Sequence, residues 1–219
     1  MINYDGIPQL SFQESEWERD LFRSFEDQLI GAGFRYLSVP SSITWEMLRA
    51  QGFGYETLAV DDTHVLTGSA EQGLLAHYAG LEVEPHRVYA LNQCWRLESE
   101  FEGFKRCKEF KKLEQFSWCS PDTWQDEFYL LLSTVTDFYE SHGLSWRIVD
   151  CTSDAGSHEV KKDIEVLTEQ YGWLEMNSCS HFGFLHRDLL GIQGEVHSIS
   201  NTGLASPRIL IPFRERGYL

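Results

Sequence analysis

Arg96, Glu98, Arg106, Phe110 and Glu114 have the types and spacing to act on a phosphorylated substrate. Arg96 and Glu98 stand two apart in a run of strand character, and side chains at i and i+2 of a strand share a face. An arginine beside a carboxylate on an open face grips one oxyanion through its planar fork, while the carboxylate orders a neighbouring amine or metal. Ten residues past Arg96 the chain returns as Arg106-Cys107-Lys108-Glu109-Phe110. A cation at the end of such a loop meets phosphates. An aromatic ring opening the next strand stacks on a base, an interaction worth ~1–3 kcal/mol. Glu114 follows four residues on, on the Phe110 face. Taken singly, each of these is ordinary surface polarity. The stretch also carries Lys105, Lys108, Lys111 and Lys112, so six of the 18 Lys and Arg fall within 17 residues of a chain whose net charge is −16. That clustering suits a polyphosphate pocket; a solvated charged ribbon is the alternative that charge alone favours.

These residues need a scaffold, and the hydrophobic periodicity supplies one. Trp17, Leu21, Phe25 and Leu29 recur every four residues and predict an amphipathic helix over 14–31, stopped by Gly31. A strand over 34–39 runs into Pro40. A short helix over 41–52 is predicted with Ser41 or Ser42 as its cap, then a hairpin over 57–66 turning at Asp61-Asp62, and a helix over 70–79. Strands over 88–98 and 110–118 flank a polar loop containing Gly103. A helix over 122–142 carries Trp124, Phe128, Leu131, Leu132, Val135 and Phe138 on its apolar side. Strands are predicted over 146–151, 162–168, 173–180 and 197–204, the last leading into a helix near Pro207. The expectation is an α+β fold, a mainly antiparallel sheet flanked by helices, with residues 1–219 in a single domain.

The order of these stretches resembles class II aminoacyl-tRNA synthetases. Strand, Arg96-Leu97-Glu98, variable loop, Arg106 to Phe110 and antiparallel strand match motif 2. Leu66-Thr67-Gly68-Ser69-Ala70-Glu71 is similar to the Thr-Ala-Glu substrate loop of the seryl branch, with Ser69 in the threonine place. Lys112-Leu113-Glu114-Gln115, Thr152-Ser153-Asp154-Ala155-Gly156, Asp163-Ile164-Glu165-Val166 and Glu175-Met176-Asn177-Ser178-Cys179-Ser180 resemble further seryl-type stretches. Asn201-Thr202-Gly203-Leu204-Ala205-Ser206-Pro207-Arg208 resembles motif 3, and the helix over 14–31 leading to Pro40 resembles the dimer-forming motif 1.

The resemblance implies an adenylate-forming ligase with roles residue by residue. Arg96 and Arg208 would be catalytic, Arg96 holding the α-phosphate and the amino-acid carboxylate. Glu98, Arg106, Phe110, Glu175, Ser178 and Arg208 would join Arg96 in binding ATP, with adenine between Phe110 and Arg208. Glu175 and Ser178 would hold Mg²⁺. Ser69, Glu71, Glu114, Ser200 and Thr202, with Arg96, would bind the amino acid. Serine is the direct reading, while glycine and alanine also fit a small polar pocket.

Several features set limits on partners. The sequence opens almost directly on the motif 1 helix, so the tRNA-gripping arm of seryl synthetases is expected to be absent. The run Glu98-Ser99-Glu100-Phe101-Glu102 is acidic where tRNA contacts are expected. Both points, with the net charge, disfavour tRNA without excluding it and favour a carrier-protein thiol or a small-molecule acceptor. A tRNA-charging enzyme working with a partner, or a catalytically silent regulatory copy, are the alternatives. Zinc is not expected: the metal-dependent branch resembles this chain with cysteines at the Ser69 and Thr202 places. The five cysteines are odd in number, irregularly spaced and read as reduced. No apolar run is long enough for a membrane span and the N-terminus lacks a signal-peptide pattern, so a cytoplasmic protein is expected; the resemblance of the helix over 14–31 to motif 1 implies a homodimer.

Overall fold

The computed structural model describes residues 6–52, 57–97, 100–153 and 157–218. Helix α1 (Phe12–Gly31) begins at a capping box: the Glu14 amide donates to Ser11 Oγ at 3.2 Å and the Ser11 amide donates to Glu14 Oε2 at 2.7 Å. Such a cap satisfies two of the first-turn donors and contributes ~1 kcal/mol. Leu21, Phe25 and Leu29, the periodic stripe, are all buried inside this chain, and Trp17 packs on Phe213. The stripe therefore belongs to the core and offers no free apolar face for a second copy.

A seven-stranded sheet follows the order β1-β4-β5-β9-β8-β7-β6. Its members are β1 (Arg35–Tyr36), β4 (His86–Trp95), β5 (Glu109–Cys119), β6 (Trp146–Asp150), β7 (Val160–Thr168), β8 (Gly172–His181) and β9 (His197–Ser206). Only β1–β4 is a parallel pair; the others are antiparallel. Helices α1 and α4 (Trp124–Ser141) cover one face, where Phe25, Phe128, Leu131 and Phe138 meet Leu113, Ile164, Ile199 and Leu204. Burial of each large side chain contributes ~1.5–3 kcal/mol. Helix α3 (Ala70–Tyr78) and the five-residue α5 (Leu185–Leu189) cover part of the other face, over Val88, Ala90, Phe116 and Trp118. The remainder of that face stays open.

Three expectations are corrected. The segment 41–52 is not one helix: Ser42–Thr44 forms β2, paired antiparallel with β3 (His64–Leu66), and only Trp45–Ala50 is helical, as α2. β-branched Ile43 and Thr44 suit the strand, and Thr44 rather than Ser41 or Ser42 caps α2 by accepting from the Met47 amide at 3.1 Å. The strand expected over 34–39 is confined to Arg35–Tyr36. Strand β4 ends at Trp95, so Arg96 lies just beyond it; Glu98 is outside the described residues.

A bulge shapes the open face. Leu113 faces Leu204 and Glu114 faces Thr202, which leaves Gly203 as the extra residue of β9. A Cβ on Gly203 would stand 2.5 Å from Phe25 and 2.7 Å from Leu113, so only glycine fits there. Asn177 satisfies the disturbed strand by donating to the carbonyls of Thr202 at 2.7 Å and Gly203 at 2.6 Å. The bulge keeps Ser200 and Thr202 on the open face while shifting Ala205 back onto it.

Candidate active site

The open face of the sheet forms the floor of a cleft of about 620 Å³. Alternation along β5 aims Phe110, Lys112 and Glu114 into it; β9 contributes Ser200 and Thr202, and β8 contributes Glu175 and Ser178. Arg96 and Arg106 enter from loops and Arg208 from the short 3-10 helix Arg208–Leu210, all at one end, and Glu71 enters from the first turn of α3. Every described site residue expected from the sequence except Ser69 thus lines one cleft. Ser69 sits one hydrogen bond behind it.

At the deep end, polar groups interlock. Glu114 is 2% exposed; its Oε2 lies 2.6 Å from Lys112 Nζ and accepts from Ser69 Oγ at 3.0 Å, while its Oε1 accepts from Ser200 Oγ at 2.9 Å. Ser69 Oγ also accepts from Lys112 Nζ at 3.1 Å and from the Glu71 amide at 3.2 Å, capping α3. A buried carboxylate is tolerable only with such a partner set. Glu71 differs, because its buried Oε1 has no hydrogen-bond partner among the described residues. Burial, reinforced by the nearby Glu114 charge, pushes its carboxyl up to about 8.

The shallow end is cationic. The Arg96 amide donates to the Lys108 carbonyl at 2.8 Å, which fixes the backbone where the motif 2 loop closes. Arg96 Nε donates to Gly68 O at 2.9 Å, and its guanidinium lies over the Phe110 ring at 5.4 Å. Arg208 Nε donates to Lys105 O at 2.9 Å and Nη1 to Glu175 O at 3.2 Å. Burial lowers the Arg208 pKa from its usual value against the opposing pull of Glu175. Burial raises the Glu175 pKa, helped by the Asp163 charge. A cleft with cations at one end and a paired carboxylate pocket at the other is built for a substrate of matching polarity.

Lys112 and Lys161 also line the cleft, without a role in the sequence reading. The signal for Lys112 was present, since period-two alternation puts it between Phe110 and Glu114 on their face. Lys161 depends on the β7–β8 register, which a single sequence does not display.

Residues 59–210 match the model of the tRNA synthetase class II core domain (G, H, P, S and T). The chain belongs to that family. This class II core is 32% identical over 147 residues to a serine–tRNA ligase of Herpetosiphon aurantiacus, covering 60% of this chain and 35% of the relative. It is 32% identical over 178 residues to that of Deinococcus radiodurans, covering 70% and 41%. The chain therefore spans less than half the length of these curated relatives. Among solved structures, Pyrococcus horikoshii seryl-tRNA synthetase complexed with ATP superposes with a TM-score of 0.87 at 21% identity, over 94% of this chain and 52% of that one. Naegleria fowleri cytoplasmic serine–tRNA ligase in complex with AMP gives 0.84 at 23%, over 94% and 50%. The likeness to these two establishes the fold of the class II core. No helix among the described residues is long and apolar enough to cross a membrane.

Proposed function

We propose that this class II core joins a small amino acid, serine first, to ATP as an aminoacyl-adenylate. The observation that carries the reading is the polarity of the cleft: Arg96 at the junction between the Arg106–Arg208 end and the Glu71–Glu114 pocket. The substrate carboxylate would attack the α-phosphorus, forming a new P–O bond as the bond to pyrophosphate breaks, so no side chain is needed as nucleophile. Catalysis is then positioning plus neutralisation of developing charge. Phe110 would stack on the base, Arg106 and Arg208 would hold the outer phosphates, and Glu71, Glu114, Ser200 and Thr202 would bind the amino acid, with Ser69 supporting Glu114.

Mg²⁺ fits the donors present. Glu175 and Ser178 both line the cleft, and the buried Asp163 Oδ1 has no hydrogen-bond partner among the described residues. That local excess of oxygen and acid suits a hard divalent ion, which would supply charge neutralisation at the phosphates.

For the acceptor, the acidic stretch 98–102 and the net charge of −16 support a thiol or amine on a carrier protein or small molecule. A tRNA-charging role is the second reading, favoured by relatives that are themselves serine–tRNA ligases. ATP–pyrophosphate exchange measured with each amino acid tests the shared first step. Exchange should be strongest with serine; none with serine, glycine or alanine would remove the proposal. Formation of aminoacyl-tRNA from total tRNA then separates the two acceptors. Homodimerisation is proposed on the motif 1 resemblance alone, and sedimentation at monomer mass would count against it.

A further inference from the structure

Glu18 lies on the buried face of α1 with Leu21, Phe25 and Leu29, at the helical spacing where packing alone would place an apolar residue, and it is 7% exposed. A carboxylate there needs partners, and it has two. Its Oε1 accepts from Ser206 Oγ at 2.5 Å, and its Oε2 pairs with Lys111 Nζ. Lys111 and Ser206 stand opposite each other on β5 and β9, as the last rung of the ladder between those strands. Alternation along β5 sends Phe110 and Lys112 into the cleft and Lys111 to the α1 side. One carboxylate thus ties the start of β5 to the end of β9 from behind the cleft.

Both tied positions border the nucleotide end. Phe110 precedes Lys111, and Arg208 follows Ser206 by two residues; on the proposed reading the adenine lies between this ring and this guanidinium. Beyond Ser206 the ladder cannot continue, because Pro207 has no N–H to donate, and the chain turns into the 3-10 helix Arg208–Leu210. Ser206 is therefore the last side chain that can anchor β9 before Arg208 leaves it. The carbonyls of Lys105 and Glu175 align the Arg208 guanidinium, while Glu18 fixes the backbone from which that side chain starts. A buried ion pair adds little net stability over apolar packing, since desolvation offsets the attraction. What two carboxylate oxygens supply, and an apolar side chain does not, is a defined spacing between two partners.

We infer that Glu18 is a positioning residue of the nucleotide end: through Lys111 and Ser206 it sets the width of the slot between Phe110 and Arg208 that a base enters. It acts on the nucleotide through those two residues and does not touch it. The inference deepens, and rests on, the reading of the cleft as an ATP site. The amino-acid pocket lies outside its reach, because Glu71, Glu114 and Ser200 are held by their own contacts at the deep end.

Equilibrium binding of ATP, adenosine and serine to the full chain, below the thermal midpoint of each variant, tests this. Glu18→Leu should raise the Kd for ATP and for adenosine about tenfold, the scale of one hydrogen bond to a charged group, and leave the Kd for serine within twofold. Ser206→Ala removes one of the two ties and should shift ATP in the same direction. The double variant should bind ATP no more weakly than Glu18→Leu, since both changes break one link. Glu18→Gln replaces Glu18→Leu if that variant does not fold. A lowered thermal midpoint with an unchanged Kd for ATP would make Glu18 a support of the fold alone and overturn the inference. So would an equal loss for ATP and serine, or losses that multiply in the double variant. ATP binding without serine-dependent pyrophosphate exchange in the parent protein would sink the adenylate reading and leave the role of Glu18 standing; a parent protein that binds no ATP would sink both.

Discussion

Arg96→Ala should lower serine-dependent pyrophosphate exchange by about 1000-fold, the upper range for removing one preorganised group that stabilises developing charge. On the proposed reading Arg96 would touch both substrates, because it leaves the end of β4 where the phosphate end and the amino-acid pocket meet. Its position is over-determined. The backbone is tied to Lys108, Nε is spent on the Gly68 carbonyl, and the guanidinium plane rests over Phe110. The guanidinium is therefore held in a fixed direction, which is what makes an oxyanion contact strong at the transition state without cost of reordering. Arg96→Lys should recover little, since a point charge on a flexible stem cannot use the Gly68 carbonyl and present a fork at once. The fold should survive, because Arg96 sits beyond the strand and outside both apolar clusters around the sheet. Exchange within tenfold of the parent rate would show that charge neutralisation lies elsewhere in the cleft.

How far the sequence foretold this geometry depends on the range of the signal. Helix α1 and the β5 face are written in local periodicity, and both were legible: Leu21, Phe25 and Leu29 are in the core, and Phe110 and Glu114 share a face. Short elements were not. Ser42–Thr44 is three residues long and becomes a strand only because His64–Leu66 pairs with it, and α5 at five residues is too short to show a period. The site residues gathered from the motif order rather than from pattern, since Ser200 and Glu114 meet from positions 86 apart. Lysines were the systematic loss. Lys112 was only one member of a cation cluster and Lys161 was not singled out, because a strand register determines whether such a charge points to water or into a cleft, and the register is a tertiary fact. Arg96 was assigned to the strand because β4 and its extension look alike in sequence; the strand stops at Trp95 because the partner register runs out at Glu109.

Glu71 is expected to make serine binding depend on pH in a definite direction. In the deep pocket Glu114 is already engaged on both oxygens, by Lys112 and Ser69 on one and Ser200 on the other. Glu71 keeps a buried Oε1 with no partner among the described residues, so on the proposed reading it would be the acceptor for the ammonium group. Ionising Glu71 adds one negative charge to the pocket, with which an ammonium can pair; protonating it removes that attraction. Burial first, and Glu114 second, push the Glu71 carboxyl up to about 8 in the free protein. The kcat/KM for serine should therefore climb roughly tenfold per pH unit between 6 and 8 and level off above, where the ionised form dominates. Glu71→Gln should flatten that limb and reduce kcat/KM at pH 8.5 by about 100-fold, the scale of a charged hydrogen bond in a buried site. The same shift has a stability consequence of known sign. A carboxyl whose pKa is raised on folding contributes stability that is complete below its unfolded value of 4.5 and is lost as pH rises toward about 8. The substrate-free protein should thus lose stability across that window in urea titrations, Glu71→Gln should remove this part of the slope, and serine should restore stability at the alkaline side by binding the ionised form. A kcat/KM profile that is flat from pH 6 to 8 in the parent protein would place the ammonium on some other group and leave Glu71 a buried acid without a task.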